Sequence, residues 1–134
     1  MNKNIFVNLP VKDLDKSKAF FAKLGYTFNR QFTDETAACM VISDTIYAML
    51  ITHARFSDFT FKAIADSVKT TEVLIALSCE SRDEVAKITD AAMAAGATEA
   101  KPPQDYGFMI VRSFNDLDGH IWEYMWMDPS HVQG

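Results

Sequence analysis

Residues 114–123 read FNDLDGHIWE, a strand-like run, a tight Asp/Gly turn and a second strand-like run that ends on a carboxylate. Asp and Gly between two apolar runs form a hairpin signal, because both accept turn conformations that other residues resist. Alternation along the second run places Ile121, Glu123 and Met125 on one side and Trp122, Tyr124 and Trp126 on the other. Glu123 is thus an acid set among apolar residues. The aromatic residues suit either a core between sheet and helix or between modules, or an apolar cup for a flat ligand, and the outward row would also suit a seam between two copies.

Outward from this hairpin, the chain is one strand–helix–strands unit written twice. Ile5–Val11 reads as a strand, Asp13 or Asp15 offers an N-cap, and Leu14, Ser17, Phe20, Phe21 and Leu24 recur at helical spacing before Gly25 stops the helix. Val73–Cys79 reads as a second such strand, followed by the capping-box spacing of Ser81 and Glu84. Val85, Ile88, Ala92 and Ala95 then make an apolar stripe closed by Gly96. Setting Leu9 on Leu77 aligns Val11 with Cys79 and Asp15 with Asp83.

Three strand candidates follow each helix: Thr27–Phe32, Ala37–Ile42 and Ile46–Thr52 in the first half, Thr98–Lys101, Phe108–Asn115 and His120–Trp126 in the second. Pro102-Pro103 is expected to break the chain, since proline gives no ladder donor. Between the halves, His53–Thr71 carries Phe56, Phe59 and Phe61, with a short helix expected over Lys62–Ser67; this segment reads as a lid, a linker or a dimer contact. The tail after Asp128-Pro129 reads as a loose end. The expected fold class is α+β, two βαβββ modules forming a curled sheet around a central cup. It would make one domain over residues 1–134, with module one at 4–53, a linker at 54–71 and module two at 72–127.

A chain of 134 residues with 49% hydrophobic and 23% charged residues can bury a core of its own. Its net charge of −5, without a basic run, argues against nucleic acid and anionic membrane surfaces as partners. No apolar stretch approaches the roughly 20 residues that span a bilayer. The opening MNKNIFVNLP has no signal-peptide pattern, so a cytoplasmic location is the expectation. Cys39 and Cys79 lie in apolar runs and read as reduced core thiols. No phosphate-cradling glycine loop and no nucleophile elbow occurs.

The runs IFVNLPVKDLDKSKAFFAKLGY (5–26) and DLDGHIWEYMWMDP (116–129), in two βαβββ modules, resemble the vicinal oxygen chelate superfamily. That superfamily includes glyoxalases, bleomycin-resistance proteins and extradiol dioxygenases, and the nearest likeness is to bacterial glyoxalase-like proteins of the lactoylglutathione lyase kind. The resemblance covers nearly the whole chain. It implies the cup-shaped fold, but not one chemistry, because the fold hosts isomerases, dioxygenases, thiol transferases and binders. Members that use a metal carry His or Gln early in each module's first strand and Glu late in each last strand. Matched by position, the first-strand sites fall on Phe6 and Leu74, and the last-strand sites on Leu50 and Glu123. Only Glu123 matches, so no metal and no other cofactor is expected.

The candidate site then consists of Glu123 with Phe6, Leu50 and Leu74, and with Asn8 and Ser78 placed on the same inner face by strand periodicity. Asn8 and Ser78 would orient a ligand by hydrogen bonds. If Asp116–Gly119 forms a four-residue loop, Arg112 faces Glu123. The pair is then either a structural ion pair or a catalytic pair, with Arg112 gripping an oxygen and Glu123 acting as general base. Tyr106, in a loop, offers a ligand-contacting hydroxyl, and His53 could line the mouth of the site. Two functions fit: a binder of a small, partly apolar molecule without metal, or a lactoylglutathione-lyase-like lyase or isomerase using Glu123 as base, with or without a divalent metal. A homodimer is expected, its seam formed by the outward aromatics and Phe56–Phe61.

Overall fold

A computed structural model of the chain describes residues 3–131. It divides into two compact units, the break falling between Ala65 and Asp66.

The first unit is built as βαβββ from β1 (Ile5–Val11), α1 (Leu14–Lys23), β2 (Thr27–Asn29), β3 (Ala37–Val41) and β4 (Ile46–Thr52), and a four-residue helix, α2 (His53–Phe56), follows. Asp13 caps α1, its carboxylate accepting from the Lys16 N–H at 3.1 Å, and Gly25 leaves the helix at φ +102°. The sheet order is β1-β4-β3-β2, with β1 parallel to β4 and the other pairs antiparallel. Leu14, Ser17, Phe20 and Phe21 form the buried stripe of α1. Leu9, Val11, Ala38, Met40, Ala48 and Leu50, on one face of the sheet, are buried too. Burial of a single Phe of this kind is worth about 2–3 kcal/mol relative to exposure.

The second unit repeats the plan with β5 (Leu74–Ser78), α3 (Arg82–Ala94), β6 (Thr98–Asp105), β7 (Met109–Asn115) and β8 (Ile121–Met127) in the order β5-β8-β7-β6. Ser81 caps α3 by accepting from the Glu84 N–H at 3.0 Å, while the Glu84 carboxylate reaches back to the Glu80 N–H at 3.2 Å. The return bond of this capping box therefore lands one residue before the cap. Val85, Thr89 and Ala92 are the buried positions of α3. Thr89 enters the apolar face because its hydroxyl donates to the Val85 carbonyl at 2.7 Å, which satisfies it locally. Beneath the helix lie Phe114, Trp122 and Tyr124, each essentially without solvent exposure, and the Phe114 and Tyr124 rings stack at 5.8 Å.

Four details depart from expectation. Residues 30–32 leave β2 as a 3-10 turn capped by Asn29. Pro102-Pro103 does not end β6: the strand runs on with register shifts between Glu99 and Lys101 and between Lys101 and Gln104. Because β6 is an edge strand, its prolines need no outer partner, and bulges absorb the extra residues. Residues 62–67 form no helix; Asp66 instead starts a turn, its carbonyl accepting from the Lys69 and Thr70 N–H groups and its carboxylate from the Val68 N–H. Finally, Trp122 and Tyr124 are core residues, so they supply no outward seam. Phe59 and Phe61 do stand exposed, and the Arg55 guanidinium covers the Phe59 ring at 4.9 Å. Cys39 and Cys79 are both free thiols. Among the described residues no helix is long and apolar enough to cross a membrane.

Candidate functional site

The β7–β8 hairpin positions Glu123, and its turn is organised by Asp116. The Asp116 N–H donates to the His120 carbonyl at 2.9 Å, and its carboxylate accepts from the Asp118 and His120 N–H groups and from the Trp122 indole at 2.9 Å. Burial pushes the Asp116 carboxyl above the usual carboxylate range, against the opposing pull of His120 and the donated hydrogen bonds. With residues 116–120 closed in this way, Asn115 pairs with Ile121 rather than with His120.

That one-residue difference carries through the ladder. Ser113 pairs with Glu123, and Arg112 pairs with Tyr124. The expected Arg112–Glu123 pair therefore does not form. Arg112 projects to the helix side of the sheet and meets Asp90 of α3 at 2.9 Å, where it serves as a structural tie. Among the described residues no ion pair involves Glu123.

Glu123 faces the side of the sheet without a helix. The parallel β5–β8 register sets Leu74 beside Ile121, Ala76 beside Glu123 and Ser78 beside Met125. All six share this face by strand alternation. Leu74 is 56% exposed, and Ala76 and Ser78 are exposed too. From β7 the same face receives Val111, Ser113 and Asn115, and from β6 it receives Thr98, Lys101 and Gln104. The Asn115 amide donates to the Thr98 hydroxyl at 3.2 Å across this face.

In the first unit, β1 sets Phe6 beside Tyr47, Asn8 beside Met49 and Leu9 beside Leu50. Phe6 and Tyr47 stack with ring centroids 4.8 Å apart on the helix-free face, and the Asn8 amide donates to the Phe6 carbonyl at 3.1 Å. Leu50 lies on the other face with Leu9 and has no solvent exposure, so its expected place beside Phe6 is corrected. Since Tyr47 stands to Phe6 as Ile121 stands to Leu74, the residue of β4 equivalent to Glu123 is Met49. His53 opens α2 and is exposed, with its carbonyl accepting from the Ser57 hydroxyl at 3.0 Å.

Tyr106 occupies the β6–β7 turn and is 54% exposed. A feature that the sequence reading missed holds this turn. Arg82, in the first turn of α3, donates to both Asp105 carboxylate oxygens at 2.9 Å and to the Gly107 carbonyl at 2.7 Å, and lies 5.3 Å from the centre of the Trp126 ring. Hydrogen bonding from Arg82, then from the Gly107 N–H, holds the Asp105 carboxyl down at about 2. The sequence signal was thin: an arginine just inside a helix and an aspartate 23 residues on.

Divalent ions on such a face need three or four nitrogen, oxygen or sulfur donors. Glu123 is the one carboxylate that the strand register of the second unit places there; its neighbours Leu74, Ala76 and Ile121 donate nothing, and the Met125 thioether is a soft donor that suits few divalent ions. Among the described residues no group of three or more His, Cys, Asp and Glu is arranged to hold a metal. This donor set does not fit a metal ion. Cys79 is no substitute ligand, its thiol being pushed up to about 11 by burial and then by Glu84.

Residues 3–43 match the family described as Bleomycin resistance protein-like N-terminal. No curated protein matches the chain significantly. Among solved structures, a hypothetical protein from S. aureus is similar at 26% identity and a TM-score of 0.78, over 94% of this chain and 95% of that one. A glyoxalase/bleomycin resistance protein/dioxygenase family enzyme from Burkholderia phytofirmans is similar at 15% identity and a TM-score of 0.76, over 94% and 99% of the two chains. The fosfomycin resistance protein FosX from Listeria monocytogenes is similar at 20% identity and a TM-score of 0.69, over 97% of each chain. With its two βαβββ modules, the protein has the fold of the glyoxalase/bleomycin resistance/dioxygenase structures, and its residues 3–43 are similar to the bleomycin resistance protein-like N-terminal family.

Proposed function

We propose that the protein binds a small, partly apolar molecule on the helix-free face around Glu123, without a metal ion. The observation that carries this reading is the setting of Glu123: an acid with no ion-pair partner among the described residues, standing between Ala76 and Ser113 and flanked by Leu74, Ile121 and Met125. The apolar residues supply contact area, and Glu123, Ser78 and Ser113 supply polar groups that fix orientation. Tyr106, exposed on the turn held by Arg82, offers a further hydroxyl at the end of the same sheet. A thermal-shift screen of metabolites against wild type and Glu123→Gln tests the reading. Compounds that raise the Tm of wild type and raise that of the variant less support it. A screen in which every stabilising compound acts equally on both proteins contradicts it.

The second reading is a lyase or isomerase similar to lactoylglutathione lyase, in which Glu123 takes a proton from carbon next to a carbonyl. The same freedom from an ion pair favours it, because a carboxylate engaged by a guanidinium would be a poorer base. Under this reading Glu123→Gln loses orders of magnitude in rate while retaining substrate binding, whereas the binder reading predicts weaker binding and no turnover in either protein.

A further inference from the structure

One row across the second unit's sheet runs Lys101 (β6), Ser113 (β7), Glu123 (β8), Ala76 (β5), each residue the direct partner of the next. Strand alternation puts all four side chains on the helix-free face. Lys101 and Glu123 are the two charged residues that the strand register places there, and neither forms an ion pair among the described residues. Had they been adjacent across one ladder, they would neutralise each other. Instead two strand steps, about 10 Å between Cα atoms, separate them, with a hydroxyl between. Glu99 and Asp105 pair with Phe114 and Ile110 and so belong to the opposite face. The face thus presents a cation and an anion in line across a serine, bordered by Leu74, Ile121, Val111 and Met125.

We infer that the ligand of this face is a small zwitterion with an apolar body, its ammonium on Glu123 and its carboxylate on Lys101. Charge-assisted hydrogen bonds at both ends would fix the orientation of the body over Ser113, and the apolar border would hold its side chains. The two-strand spacing suits charges several ångströms apart, as at the ends of a dipeptide, better than the adjacent groups of one amino acid. This inference rests on the binding role proposed for the Glu123 face and specifies its ligand class.

The test is a titration of isotope-labelled protein followed by amide NMR shifts, with leucyl-leucine, its N-acetyl form, its C-terminal amide and the doubly blocked peptide as probes. Leucyl-leucine is expected to shift the Ala76, Ser113 and Glu123 amides and to bind at least tenfold more tightly than either singly blocked form. Glu123→Gln should abolish the advantage over the N-acetyl form, and Lys101→Met the advantage over the amide, with each variant leaving the other preference in place. Equal binding of all four peptides at these amides would overturn the zwitterion and leave the apolar binding role standing. Shifts confined to other residues, or none, would also overturn it. The binding role itself falls only if the compounds that stabilise wild type in the metabolite screen leave these amides unmoved too.

Discussion

Gly119 and Ser67 touch backbone to backbone: a Cβ on Gly119 would lie 2.6 Å from the Ser67 carbonyl oxygen. The Ser67 hydroxyl completes the contact by donating to the Asp118 carbonyl at 2.6 Å, so the segment before β5 is stitched to the β7–β8 turn. Gly119 also sits at φ +89°, where a side chain is strained whatever the space around it. Gly119→Ala should therefore cost about 2–3 kcal/mol in urea denaturation, through strain and loss of this approach. Ser67→Ala, which removes one hydrogen bond, should cost only about 1 kcal/mol. Hydrogen exchange should show residues 66–70 opening in both variants, more in the glycine variant.

Asp116 holds the same turn from within. Removal of its carboxylate in Asp116→Ala leaves the buried Trp122 indole and two backbone N–H groups without their acceptor, a loss of about 3 kcal/mol or more. Chemical denaturation checks the magnitude. Near-ultraviolet circular dichroism of the Trp122 band should weaken in parallel, because the ring loses its anchor.

Arg82 sets the acid behaviour of Asp105. The Asp105 carboxyl is held below its ordinary 3.8, at about 2, so the stabilisation it brings is present above 3.8 and is lost as pH falls toward 2. In Arg82→Gln the midpoint followed by carbon NMR should rise toward 3.8. Amide exchange in residues 106–108 should quicken, since the Gly107 carbonyl loses its donor.

Leu50 and Phe6 should respond in opposite ways. Leu50 has no solvent exposure, so Leu50→Ala should destabilise by about 2–5 kcal/mol. Phe6 is 49% exposed and stacks on Tyr47, so Phe6→Ala should cost about 1 kcal/mol, visible as a small fall in denaturation midpoint. Equal losses would mean that the β1–β4 register is not as described.

Much of the architecture was legible because it rests on local signals. Asp13, Ser81, Gly25 and Gly96 mark helix ends by backbone chemistry that needs no tertiary information, and the paired strand–helix order gave the repeat. The site was less legible because it depends on register. The turn at Asp116 closes over five residues through hydrogen bonds that the motif alone does not display, and this moved Ser113, not Arg112, opposite Glu123. Nothing in the run from Ile46 to Thr52 marks which residues face the helix, so Leu50 and Met49 could be exchanged in reading though not in the fold. Lys101 was hidden for a similar reason: the bulges beside Pro102-Pro103 set its partner, and bulges leave little trace in a single sequence.

The central claim, that Glu123 is a ligand group rather than a structural one, is tested most directly by isothermal titration calorimetry of one stabilising compound against wild type and Glu123→Gln, with urea denaturation of both proteins alongside. Among the described residues no ion pair involves the Glu123 carboxylate, which is half-buried, so the substitution should change folding stability by no more than about 0.5 kcal/mol while weakening binding at least tenfold. Unchanged affinity, or a loss of folding stability that accounts for the weaker binding, would contradict the claim.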